Sequence, residues 1–411
     1  MLVAWIVSTY RRKKALEAAA VELIQNQVNE GIGIVNQIQA PMVLMKGSDF
    51  VKLDGLEQHE ALRDRGLLVF VDTVEAFLNL YQKKYITVFF SHQWLAFASP
   101  DPEKKQFALM CSAAQQIAIK EQRSLDDVYV WVDVFSIPQS CRPVQRLAIN
   151  SLPALASLAK YFVTICPSIA HVDTKGTCDR HTYFKRCWCR AEVMSFWARN
   201  GVDQMYYADD NEGELKQMAP GGITHEFIES VQVFQGDLTC CRLCHNDGAD
   251  ICDREELMLP MLGLYAEIYK NRDTPSVKPI FEAIETNRHQ IYPATFQYAN
   301  GTEVFEKPLF GDLIDVMRHS IDEALGHTST KVVNYGKLRA GSSKDARAPG
   351  SRHGSKHGSK HGSSKHGSTS VESSGFDRET SSRVSRRSAG STLKAPVVVV
   401  SDISLSSSTA E

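Results

Sequence analysis

The chain has 411 residues, 43% hydrophobic and 23% charged, with a formal net charge of −2. This is long enough for two or three domains and matches ordinary soluble globular protein. The charge is uneven: residues 341–411 hold 11 Lys or Arg against 6 Asp or Glu, which leaves the preceding 340 near −7 and argues against a specific nucleic-acid binder.

Ten cysteines without regular spacing do not make a disulfide scaffold, and reduced thiols in a cytoplasmic setting are expected. The apolar run at residues 1–7, followed by Arg11, Arg12, Lys13 and Lys14, is far shorter than the ~20 residues that cross a bilayer. It also lacks the order of a secretory signal. No transmembrane segment is expected, and an N-terminal helix packing on the rest of the chain is preferred to a membrane-surface role.

In chain order, Ala15, Leu16, Ala19, Ala20, Leu23, Ile24 and Val28 recur at three- and four-residue steps, which predicts a helix over 11–40 ended by Gly31 and Gly33. A short strand is expected at 67–71 and a helix at 73–81. Apolar runs at 86–90, 128–133, 161–165 and 204–207 then alternate with helical patterns at 103–120, 144–159 and 187–200. Strands this apolar along their whole length are buried on both faces, so the expected fold is α/β with a doubly wound parallel sheet. Further helices are expected at 255–269 and 314–325. After about 341 the composition collapses into Ser, Gly, Lys, His and Arg, which cannot offset chain entropy and predicts disorder. The division is a helical N-terminal extension (1–80), an α/β domain (81–210), a mostly helical extension packed on it (211–335) and a disordered tail (336–411).

Ligands of α/β sheets bind beyond the carboxyl ends of the strands. There the sequence places Ser91, His92, Gln93 and Trp94 after the first parallel strand and Asp133, Ser136, Pro138 and Gln139 after the second. A long loop after the third runs into Tyr183, Arg186, Trp188 and Glu192. Glu192 shares a helical face with Trp188 and Phe196, whose rings would desolvate it and raise its pKa. An ion pair of Glu192 with Arg190 or Arg186 is the alternative. A Cys187 or Cys189 nucleophile lacks a recognisable base.

Four blocks in order, Val88-Phe89-Phe90-Ser91-His92, Val130-Trp131-Val132-Asp133, Ala148-Ile149-Asn150-Ser151 and Cys187-Trp188-Cys189-Arg190-Ala191-Glu192-Val193, resemble the signature blocks of Toll/interleukin-receptor (TIR) domains. The stretch 133–139 also resembles the related fungal heterokaryon-incompatibility domains. The resemblance implies a TIR/flavodoxin-like sheet in an intracellular signalling protein. It also implies NAD as substrate, Glu192 as catalytic carboxylate for cleavage of the nicotinamide–ribose bond, and Ser91, His92, Gln93, Trp94, Asp133 and Trp188 around the substrate. The alternative it implies is a non-enzymatic adaptor, self-associating or binding other TIR-like proteins through the 133–145 loop with Phe135, Ile137, Pro138 and Gln139. The chain departs from the family in carrying His92 and Gln93 where many members have an aromatic residue and Arg. It also has extra residues near 97–105 and 171–181.

Cys240, Cys241, Cys244, His245 and Cys252 fall within 13 residues. Cys241, Cys244, His245 and Cys252 could hold zinc, but the separated second ligand pair of most structural zinc sites is missing, and buried thiols at a turn are the preferred reading.

Overall fold

The computed structural model describes residues 2–36, 39–209, 213–242, 245 and 252–326. The expected tail at 336–411 lies outside the described residues. Among those described, no helix is long and apolar enough to cross a membrane.

The strands run β1 (Met42–Lys46), β2 (Leu68–Val71), β3 (Ile86–His92), β4 (Val128–Val132), β5 (Tyr161–Ile165), β6 (Ile169–Ala170), β7 (Thr177–Cys178), β8 (Met205–Ala208), β9 (Lys216–Gln217), β10 (Thr295–Asn300) and β11 (Glu303–Pro308). A seven-stranded sheet has the order β2-β1-β4-β3-β5-β8-β9. Its centre is parallel, β3 pairing with both β4 and β5, and β5 with β8. Antiparallel strands finish both sides, β1 and β2 at one and β9 at the other.

The apolar runs form strands here because both faces are covered: every residue of β4 and β5 is buried. Alternate side chains enter two separate cores. Phe89, Trp131 and Phe162 point to one face, where they pair across neighbouring strands and stack with centroids 4.0 and 5.5 Å apart. That core also takes in the helices Leu152–Leu158, Cys187–Asn200 and Asp253–Lys270. Val88, Phe90, Val130 and Val163 point to the other face, against the helix Lys105–Lys120 and Phe50.

Three details differ from the sequence reading. Residues 42–71 are not purely helical: beside the strand expected at 67–71, they supply β1, and both strands join the sheet. The helix expected over 144–159 is two, Arg142–Asn150 and Leu152–Leu158, because Pro153 at the start of the second has no N–H to continue the first. The C-terminal extension contains the hairpin β10–β11 beside its helices. At the N-terminus one continuous helix spans Leu2–Asn36. It approaches the helix Asp253–Lys270 so closely that a Cβ on Gly31 would lie 3.0 Å from the Leu259 carbonyl oxygen.

Candidate functional site

The chain leaves β3 for the helix on one face and, after β4, returns to β5 on the other side of β3. The two crossover directions therefore diverge between the carboxyl ends of β3 and β5, the place where sheets of this kind bind ligands. Ser91 and His92 end β3 there. Glu192, in the second turn of the helix Cys187–Asn200, reaches the same place, and its carboxyl group accepts a hydrogen bond from the Ser91 hydroxyl. The Ser91 oxygen lies 2.5 Å from the Tyr183 hydroxyl. A serine that donates to Glu192 must accept from Tyr183, so the three form one directed chain.

Glu192 remains partly exposed, yet burial pushes its carboxyl up to about 8. The Ser91 hydrogen bond and the nearby His92 and Arg186 charges work against that rise, whereas the Asp133 charge adds to it. The alternative ion pair with Arg190 is not formed: that guanidinium binds the carbonyl oxygens of Phe184 and Gln232, the latter at 2.9 Å.

Beside this chain lies a second polar unit. His92 faces the Gln106 amide oxygen with Nδ1 at 2.7 Å and the Asp133 carboxylate with Nε2 at 2.9 Å. Gln106 is held in this orientation by donating its amide N–H to the Gln93 carbonyl at 2.9 Å. Both imidazole nitrogens therefore meet acceptors, which defines the imidazolium. Burial opposes that charge, but Asp133 outweighs it and raises the pKa of His92. Burial likewise opposes the Asp133 carboxylate, but the His92 charge and the Trp94 N–H, donating at 2.8 Å, hold its pKa low. Two nearby carboxyls are thus driven apart, Asp133 ionised and Glu192 protonated at neutral pH.

The expected site residues divide accordingly. Ser91, His92, Trp94, Asp133 and Glu192 are linked through these contacts. Gln93 is turned away, donating to the Thr182 hydroxyl at 3.0 Å and bracing the turn before the Glu192 helix. Trp188 donates to Asp253 at 3.1 Å, toward the C-terminal helices and outside this network. Phe135 and Ile137 are in the core and present no side chain to a partner, while Pro138 and Gln139 are half-buried. Exposure in that stretch passes to Val144 and Leu147 on the following helix. Burial pushes Cys187 up to about 12 and Cys189 higher still, so neither thiol is a nucleophile.

Gln106 completes the site without having been singled out from the sequence, whereas Tyr183 was placed there only as part of the loop, with no role of its own. Gln106 left a signal: it is the polar member of the buried face formed with Met110, Ala113 and Ile117.

The segments around residues 97–105 and 171–181 pack on each other. Leu95, Ile169 and Cys178 make a small core, the Val172 N–H donates to the Leu95 carbonyl at 2.7 Å, and the Phe97 N–H donates to Asp173 at 2.7 Å. A cleft of about 370 Å³ lined by Arg180, His181, Lys185, Arg190 and Phe227 does not include Glu192 in its lining. Elsewhere Cys240, Cys241, His245 and Cys252 converge; Cys244 lies outside the described residues.

Compared with family models, curated proteins and solved structures, the chain matches none of them.

Proposed function

We propose that this chain is a TIR-like NAD glycohydrolase with Glu192 as its catalytic carboxylate. The observation that carries the reading is a partly exposed carboxyl with a raised pKa and, among the described residues, no salt bridge, hydrogen-bonded to Ser91 at the carboxyl end of the central parallel strand. A carboxyl that serves only stability is more stable with a Lys or Arg beside it or in open water. The order of the four parallel strands also supports the proposal. Counting from β3 they lie 2-1-3-4, the beginning of a flavodoxin-like sheet, in which ligands bind at this place.

The chemistry suits these residues. Cleavage breaks the bond between C1′ of ribose and the pyridinium nitrogen. The bonding pair leaves with nicotinamide, whose ring becomes neutral, and positive charge develops on C1′ and the ring oxygen. Water then bonds to C1′ and releases one proton. The leaving group requires no acid, so the contribution of Glu192 is its ionised form, which stabilises the oxocarbenium-like charge. Tyr183 and Ser91 hold that carboxylate in place, and the indole of Trp94, fixed by Asp133, offers a partly exposed ring.

The adaptor reading keeps one observation in its favour, the exposed apolar pair Val144 and Leu147. The test is direct. Concentrated protein is incubated with NAD and nicotinamide release is followed for wild type and Glu192→Ala. The proposal expects release by wild type and a loss of at least 100-fold in the variant, the order of effect of removing a charge-stabilising group. Equal rates, or none from either, would leave the adaptor.

A further inference from the structure

We propose that Cys240, Cys241, His245 and Cys252 form a closed structural zinc site. The ligand atoms of these four side chains lie within 4.8 Å of one another. Sγ of Cys252 is 3.9 Å from that of Cys240 and 3.4 Å from that of Cys241, and Cys241 Sγ is 3.9 Å from His245 Nε2. With zinc–sulfur bonds of about 2.3 Å, a tetrahedral centre sets its sulfurs ~3.8 Å apart. A disulfide needs ~2.05 Å, and these thiols are free. The four side chains therefore already stand near the corners that zinc would impose.

The surroundings point the same way. His245 Nδ1 is bound to the Ala299 carbonyl oxygen, an acceptor only, so Nδ1 carries the proton and Nε2 turns a lone pair toward the sulfurs. This is the outer hydrogen bond that orients a metal-binding histidine. The ring is buried, stacked on Tyr298 with centroids 4.2 Å apart. Its backbone has φ +55°, a left-handed conformation that a non-glycine residue adopts where its surroundings hold it. Arg254 lies 3.7 Å from Cys241 Sγ and offsets the charge of −1 that three thiolates around a divalent cation would carry.

Four protein ligands leave no open position, so the centre is structural and not catalytic. It ties the short helix Thr239–Arg242 to the start of Asp253–Lys270, against the hairpin that supplies Ala299. The site is independent of any activity at Glu192, and the test reads metal alone.

Full-length protein purified without chelator, analysed for zinc by mass spectrometry, is expected to hold one zinc per chain. Cobalt exchanged for zinc should give the intense visible absorption of tetrahedral thiolate coordination, and chelation should lower the melting temperature. Cys240→Ser and Cys252→Ser should lose the metal. His245→Cys, which preserves the ligand count and guards against mere misfolding, should keep it, as should Cys244→Ser and the surface variant Cys141→Ser. Absence of zinc after supplementation, a Cys241–Cys252 disulfide in the purified chain, or retention by Cys240→Ser with loss by Cys244→Ser would overturn the assignment.

Discussion

Two carboxyls that belong to one site are held in opposite states. Asp133 is ionised by its histidine and indole partners, while Glu192, hydrogen-bonded to the Ser91 hydroxyl, stays protonated near neutrality. The arrangement carries a cost with a definite sign. An unfolded chain releases the Glu192 proton near 4.5, while the folded chain keeps it to about 8, so folding stability falls as pH rises between those values. Glu192→Gln removes the titration and keeps an acceptor for Ser91. It is expected to raise unfolding stability by about 3 kcal/mol at pH 7 and by almost nothing at pH 4. Denaturant melts at the two pH values check this, and an equal effect at both would contradict the raised pKa. Position 192 was singled out in the sequence by its place at the start of a helix after the third parallel strand and by the resemblance of residues 187–193 to a TIR signature block. Of the two rings that share its helical face, Phe196 is packed on Phe162 and the Trp188 indole binds Asp253, while the charges of Asp133, His92 and Arg186 act on the carboxyl from other parts of the sequence. Helical spacing reports which residues share a face, but not which neighbour that face meets.

The elements were legible in proportion to their burial. The central parallel strands stood out because a strand covered on both faces must be apolar throughout. β1 was missed although it is just as apolar, since its five residues carry no periodicity that separates a strand from a helix turn. β11 is exposed at Glu303, Val304, Phe305 and Glu306 and pairs only with β10, so burial left no pattern in it. The helix bearing Glu192 is placed by a contact invisible in any periodicity: a Cβ on Gly236 would lie 2.6 Å from both the backbone nitrogen and the Cα of Cys187. Only glycine fits. Gly236→Ala must displace the first turn of that helix, and a destabilisation of about 1–3 kcal/mol is expected, as for overpacking elsewhere. Thermal melts read that loss; a wild-type melting temperature would show that the turn yields freely.

At the scale of the whole molecule, the sheet supplies the position and the loops supply the chemistry. β3 lies between β4 and β5, so its carboxyl end meets both crossover directions at once. The residues that end β3, that follow β4 and that open the helix before β8 converge there from distant parts of the sequence. The long N-terminal helix and the C-terminal helices belong to the core on the Glu192 side of the sheet, so the helix carrying that residue is enclosed on its outer side. Residues 1–80 also contribute β1 and β2 to the same seven-stranded sheet.

The measurement that bears most directly on this account is the pH dependence of kcat/KM for nicotinamide release from NAD. If Glu192 acts as the ionised carboxylate, kcat/KM should rise about tenfold per pH unit below its pKa and level off near pH 8, and Glu192→Ala should lose that limb. A flat profile between pH 6 and 9, or a rising limb that survives in Glu192→Ala, would contradict the assignment.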